Sequence, residues 1–271
     1  MSSALSTGIH VSGEATNPPV VLLHSSQSNS GQWRALSQQL ESSYYVIAID
    51  LLGYGKAPSP AVDDAHNFRF ADELGRIVEA VKALAGDQPV LLVGHSYGGA
   101  LALKLTLEQH FPVRALAVFE PVAFHVLDAS DPARQEIDAI AEQMYQEDKM
   151  AATAAFVDYW NQPGYFSALP PKIQQLMASQ AEKVTMDFAA LMGEPHQLSD
   201  YADITVPVLL LRGSQTQASA KRVAEQLAKV LREVKVQDVD CGHMGPLTHA
   251  GVINPLLLEF IAQQHAVATC D

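Results

Sequence analysis

Continuous apolar runs alternate along this chain with stretches whose apolar residues recur every three or four positions. Residues 19–23, 45–50 and 89–94 are almost wholly apolar, and the first follows a turn-rich segment over 13–18. Such runs are the pattern of strands buried on both faces. Between them, Trp33, Leu36 and Leu40 share one side of a predicted helix over 32–40. Leu74, Ile77, Val78, Val81 and Leu84 form the stripe of another over 70–84. Further strands are predicted at 113–119, 207–211 and 235–239, with helices at 100–109, 219–231 and 252–264. Strand–helix alternation with doubly buried strands predicts an α/β fold, a mostly parallel, doubly wound sheet with helices on both faces.

The rhythm breaks over 122–205. Helical spacing there covers 133–146, 151–159 and 172–191, with no convincing strand, and turns are marked by Asn161-Gln162-Pro163-Gly164 and Pro170-Pro171. The expected organisation is one α/β core from 1–121 and 206–271, with 122–205 inserted late in the sheet as an all-helical lid. No internal repeat or low-complexity segment interrupts this division.

Composition adds boundaries. A chain of 271 residues, 48% apolar, can bury a substantial single core and is not expected to be disordered. Seventeen basic against thirty acidic residues leave a net charge of −13, which argues against nucleic acid or an anionic membrane as partner. The expected partner is a small-molecule substrate. Cys241 and Cys270 cannot form a disulfide framework for a domain of this size, so a reducing compartment is expected with both thiols as bystanders. Residues 1–10 lack a basic segment leading into a long apolar run, and the aliphatic runs elsewhere are strand-sized. A cytoplasmic location is the expectation.

Gly94-His95-Ser96-Tyr97-Gly98 follows a predicted strand and opens a predicted helix. A G-x-S-x-G in that context is a nucleophile elbow, a turn so tight that only small residues fit two positions either side of the serine. The helix behind it offers backbone N–H groups and a partial positive charge to a developing oxyanion. Without the flanking elements the same five residues would be an ordinary small-residue turn.

A matching base is His243, in Asp240-Cys241-Gly242-His243-Met244-Gly245-Pro246, past the last strand and at the same sheet edge as Ser96. Other histidines fit other roles. His24 and His95 flank strand ends and are expected to be structural or pocket-lining. His10, His66, His110 and His265 read as surface residues, and His125 and His196 bracket the inserted segment. His243 with His249 lacks a third ligand at suitable spacing, so no metal site is expected.

Across nearly its whole length the chain resembles the α/β-hydrolase superfamily. The matching pieces are Leu22-Leu23-His24-Ser25-Ser26, Asp50-Leu51-Leu52-Gly53-Tyr54-Gly55, the elbow around Ser96, and Gly242-His243-Met244-Gly245-Pro246. In that family the first segment usually reads His-Gly, and the residue after it donates one oxyanion N–H. Here Ser25 takes the glycine's place, so the resemblance assigns the oxyanion hole to Ser26 and Tyr97.

The family usually keeps an aspartate three residues after a glycine, past the strand that follows the lid. Here that place is Thr216, in Gly213-Ser214-Gln215-Thr216, and no carboxylate lies nearby. Glu120, at the end of the strand over 113–119, offers a replacement. Some haloalkane dehalogenases of the superfamily resemble this chain in placing a glutamate there. The bland alternative is a solvated carboxylate at a strand exit.

The resulting expectation is a serine hydrolase of a small ester or related acyl compound. Ser96 acts as nucleophile, His243 as base and Glu120 as acid, without a cofactor. Serine at the elbow argues against dehalogenase and epoxide-hydrolase chemistry, for which those relatives use aspartate. Hydrolysis of a carbon–carbon bond, cofactor-free perhydrolysis or haloperoxidation, and a non-catalytic small-molecule receptor remain open on the same residues. Trp160, Phe124 and Phe166, with Phe156 and Tyr165, are candidates to line an apolar pocket above Ser96, the alternative being that about half of these rings only pack the inserted helices against one another.

Overall fold

The computed structural model describes residues 7–268. Its strands are β1 (Ile9–Ser12), β2 (Pro19–Leu23), β3 (Tyr45–Ile49), β4 (Val90–His95), β5 (Val113–Phe119), β6 (Val208–Gly213) and β7 (Val234–Val239). They form one sheet in the order β1-β3-β2-β4-β5-β6-β7. β1 pairs antiparallel with β3, and every other neighbouring pair is parallel.

The apolar runs explain this arrangement. Every residue of β2, β3 and β4 is buried, so both faces need cover. Alternate residues along each strand enter opposite cores. Val20, Leu22, Val46, Ala48, Leu91 and Val93 pack with α1 (Arg34–Leu40) and the C-terminal helix. Val21, Leu23, Ile47, Ile49, Leu92 and Leu116 face the other way, against α2 (Phe70–Ala85) and α3 (Tyr97–Leu107).

Between β5 and β6 the chain is helical: α4 (Pro132–Met144), α5 (Lys149–Trp160), α6 (Tyr165–Ala168), α7 (Pro171–Ser179) and α8 (Ala181–Met192). After β6 come α9 (Ala218–Val230), the short α10 (Gly245–Thr248) beyond β7, and α11 (Ala250–Ala268). No helix among the described residues is long and apolar enough to cross a membrane.

The structure adds the one-turn helix α6 and differs from the sequence reading in three further places. β1 is an additional strand: its Ile-His-Val-Ser alternation lies at the sheet edge, where no residue is fully buried and the apolar signal is weak. The helix expected over 172–191 is two helices, with Gln180 closing α7 and opening α8 at φ −95° and ψ 0°. No glycine or proline marks that break. The terminal helix is preceded by α10, which Pro246 opens near its start. Cys270 lies outside the described residues.

The parallel register sets out the site. His95 pairs with Phe119 and Phe119 with Leu211, so β4, β5 and β6 end side by side at their carboxyl edge. The next residue of β4 is Ser96, whose N–H donates to Phe119 O at 3.0 Å. The next residue of β5 is Glu120, whose N–H donates to Leu211 O at 2.9 Å.

Candidate active site

Ser96 has φ 55° and ψ −121°, a conformation that L-residues seldom adopt. Such backbone strain costs on the order of 1–3 kcal/mol and persists only where packing enforces it. The enforcement is local. A methyl group at Gly94 would come within 2.7 Å of Gly99 Cα, and one at Gly98 within 2.6 Å of Leu23 O. The glycines thus let β4 turn into α3 while α3 lies against β2, leaving Ser96 at the tip.

His243 completes the contact. Its Nε2 lies 2.9 Å from Ser96 Oγ and its Nδ1 lies 2.6 Å from Glu120 Oε2. Ser96, His243 and Glu120 are all buried, the glutamate completely. Glu120 also has positive φ, at 44°, a second strained residue at the same edge. Its carboxylate accepts the Gly213 N–H on Oε1 at 2.6 Å and the Thr216 hydroxyl on Oε2 at 2.7 Å. A carboxylate that accepts from the imidazole sets Nδ1–H as donor and leaves the Nε2 lone pair facing the serine.

The place where the family usually keeps its acid therefore holds a hydroxyl that serves the acid on the neighbouring strand. Sequence reading registered Thr216 only as an absence. The signal was its spacing: three residues past Gly213, it reaches the carboxylate that replaces it.

Two side chains contact the face and backbone of His243. Trp160, from the end of α5, stacks on the imidazole at 3.9 Å between centroids and 28° between planes. His95 Nε2 meets the His243 carbonyl at 2.9 Å, as a donor to that oxygen. Burial holds His95 well below the ordinary histidine range, with His243 adding to the effect, so His95 stays neutral beside it. His24 is held to about 4, chiefly by burial, and accepts the Leu51 N–H on Nε2. It is a structural link between two loops. The Cys241 thiol is pushed up to about 11, first by burial and then by Glu120, and stays protonated.

Ser26 borders the same cavity as Ser96 and Tyr97 follows it in the chain, and among the described residues neither backbone N–H has an acceptor. The departure at Ser25 is accommodated by its side chain: its N–H and hydroxyl both reach Gln32 Oε1, at 3.2 and 3.0 Å. The positive φ of this loop falls instead on Gln27, at 54°.

A cavity of about 260 Å³ opens over these groups. Trp160, Phe156 and Tyr165 line it, together with Val157, Leu169, Ile173, Met177, Met244 and Leu247. Phe124 borders a small recess below, beside Ser26, Ser96 and Asp187. Phe166 is a correction: it lines neither space. It is buried among the inserted helices, with its N–H on Asp158 Oδ1 at 2.7 Å. Successive residues of a helix point about 100° apart, so Tyr165 faces the cavity while Phe166 faces the layer behind it. His125 and His196 are also outside both linings: His125 bonds the Tyr201 hydroxyl and His196 pairs with Glu108.

Removing these two aromatics should give different results. Trp160→Ala should lower kcat for every ester tested and move the preferred acyl length upward. Phe166→Ala should leave the preferred length unchanged while lowering Tm, since truncating a buried phenylalanine costs about 3–5 kcal/mol. A series of para-nitrophenyl esters with parallel thermal melts reads both effects.

Known proteins share the family and the fold of this chain. The family model described as the alpha/beta hydrolase family matches residues 20–255. A 2-hydroxymuconate semialdehyde hydrolase of Pseudomonas sp. (strain CF600) is 23% identical, covering 99% of this chain and 94% of its own length. A lipase of Mycobacterium tuberculosis is 27% identical over 88% of this chain and 92% of its own. Among solved structures, an esterase from Exiguobacterium antarcticum superposes with a TM-score of 0.74 at 22% identity, covering 94% of this chain and 96% of that one. The chain is a member of the alpha/beta hydrolase family.

Proposed function

We propose that this hydrolase cleaves small, uncharged esters through an acyl-enzyme, with the helices over 122–205 acting as a lid. The observation that carries the reading is the unbroken chain from Ser96 Oγ to His243 at 2.9 Å and on to Glu120 at 2.6 Å, beneath an apolar cavity. His243 Nε2 takes the hydroxyl proton as Oγ bonds the acyl carbon. The carbonyl π electrons move onto oxygen, where the Ser26 and Tyr97 N–H groups receive the charge. Collapse of the adduct expels the alkoxide, which takes the proton from His243. Water, deprotonated by the same imidazole, then releases the acid. Glu120 orients the ring and stabilises the imidazolium formed in each half of the cycle. Trp160 adds the negative face of its indole to that cation.

The make-up of the cavity wall also supports an uncharged substrate. Among the described residues no lysine, arginine, aspartate or glutamate lines it, and the charged group on the recess below, Asp187, is itself an anion. A muconate, as named for the relative in Pseudomonas, brings a carboxylate, which here would be desolvated without a cationic partner. The net charge of −13 opposes its approach as well. A neutral ester meets neither cost.

The test is a substrate panel. Each buried methylene contributes about 0.8 kcal/mol, about fourfold in rate. From acetyl to butyryl esters kcat/KM should therefore rise by roughly ten- to twentyfold, then fall as chains outgrow the cavity. A dienoic acid with a scissile carbon–carbon bond should turn over at least about a thousandfold more slowly, a loss of about 4 kcal/mol for its unpaired carboxylate. The opposite order would replace ester hydrolysis with carbon–carbon hydrolysis. Failure of a fluorophosphonate to label Ser96 would favour a receptor over an enzyme.

A further inference from the structure

A second cluster of charged groups lies behind the serine, and the reaction sequence above gives it no task. Lys183 and Asp187 stand one turn apart on α8, and Glu73 faces them from α2. All three side chains are nearly inaccessible, at 5%, 2% and 1% exposure. Lys183 Nζ pairs with Asp187 Oδ1 and with Glu73 Oε2, the latter at 3.1 Å. Glu73 Oε1 accepts the Leu52 N–H at 2.7 Å. Three buried ions are expensive, and well-packed apolar residues of the same volume commonly give equal or greater stability. Stability alone gives no reason for their presence.

Their remaining contacts lead to the oxyanion hole. Asp187 Oδ2 accepts the Ser26 hydroxyl at 2.6 Å and the Tyr54 hydroxyl at 2.7 Å. Ser26 is the residue whose N–H is to hold the oxyanion, and Asp187 borders the recess that also contains Ser96. On its other side the Lys183 ammonium sits over the rings of Tyr97, Tyr54 and Phe68, at 4.9, 5.0 and 4.8 Å. Tyr97 carries the second donor. One ion pair on an inserted helix therefore touches both residues of the oxyanion hole, one through a charge-assisted hydrogen bond and one through a ring face.

We infer that Asp187, held by Lys183, is a positioning residue that fixes the Ser26 loop so that its N–H is aimed at the developing oxyanion. The inference rests on the serine reading above and deepens it. Asp187 is not a seat for a cationic substrate, because its oxygens are already taken by an ammonium and two hydroxyls. Its carboxylate removes the conformational freedom of a loop that lacks the family's usual glycine, and a donor preset in this way loses nothing to reorganisation as charge develops. The same contact ties the seating of α8 to catalysis: when α8 shifts, one oxyanion donor shifts with it.

The experiment is a double-mutant cycle with para-nitrophenyl butyrate, using Ser26→Ala, Asp187→Asn and the double variant in the full chain. Ser26→Ala keeps the N–H and removes only its tether, from a half-buried loop residue whose loss does not threaten folding. Each single change should lower kcat about tenfold with KM within about twofold, a fraction of the 10²–10³ lost when an oxyanion donor is removed outright. The double variant should fall no further than the worse single one, because Asp187 acts on Ser26 through the hydroxyl that Ser26→Ala removes, so weakening that acceptor in Asp187→Asn then has nothing left to change. Ser26→Thr, which restores a hydroxyl, should recover most of the loss. Wild-type kcat in Ser26→Ala, or losses that multiply in the double variant, would overturn the positioning role. Ser96→Ala in the same assay separates the two claims. Turnover surviving there removes the serine mechanism, whereas turnover lost there with Ser26→Ala unaffected removes only the role of Asp187.

Discussion

Ser96→Ala is expected to lower ester turnover by about 10⁶-fold, to leave Tm at or slightly above that of the parent, and to abolish labelling by a fluorophosphonate. The size follows from the loss of a group that acts as a unit with His243 and Glu120, for which single deletions cost nearly as much as removing the whole triad. A residual acceleration of about 10³ over water should remain, from the oxyanion N–H groups and the cavity. The fold should survive because the elbow is enforced by Gly94 and Gly98, not by the serine side chain. Alanine keeps the same backbone at φ 55° and removes a hydroxyl from a crowded turn. The Nε2 of His243 loses its partner but faces the cavity, where water can reach it. Single-turnover release of para-nitrophenol measures the rate, and retained turnover would exclude Ser96 as nucleophile.

The residues most readily legible in the sequence were those whose constraints are local. Gly94 and Gly98 announce the elbow because two backbone contacts forbid any larger residue, and the strand before with the helix after completes the signal. The doubly buried strands were legible for a similar reason, since an unbroken apolar run needs cover on both faces. β1 was not: it is short, half exposed, and paired at an edge where little burial is demanded. The break at Gln180 was hidden because no punctuating residue marks it. Lys183 and Asp187 at i and i+4 look in sequence like a solvated ion pair. Only the fold brings Glu73, Tyr54 and Ser26, from 110 to 161 residues away, to bury them. Phe166 shows the converse limit. Composition identifies an aromatic layer, but which ring faces the cavity depends on the rotation of a helix only one turn long.

Glu120→Gln is expected to lower kcat by about 10³-fold, within the range 10²–10⁴, with KM nearly unchanged. The amide retains the size of the carboxylate but offers one acceptor oxygen where the native group receives the Gly213 N–H on one side and the Thr216 hydroxyl and His243 Nδ1 on the other. Turning the amide nitrogen toward Gly213 opposes two fixed donors at 2.6 Å. Turning it toward His243 is cheaper, since the threonine hydroxyl can rotate to accept, but the imidazole must then accept at Nδ1 as well. The proton moves to Nε2, and the nitrogen facing Ser96 can no longer take one. The missing charge also raises the energy of the imidazolium, which forms only as the transition state is approached, so the loss falls on kcat and not on KM. Thr216→Asp on this background returns a carboxylate to the position the family usually uses, and recovery of about tenfold or more is expected. On the wild-type background the same change sets two carboxyl groups within hydrogen-bond reach of each other, because Thr216 Oγ1 already lies 2.7 Å from Glu120 Oε2. It should therefore lower both Tm and kcat. If Glu120→Gln kept more than a tenth of the parent kcat, the acid would have to be sought elsewhere, while the assignment of Ser96 and His243, which rests on their own contact, would stand.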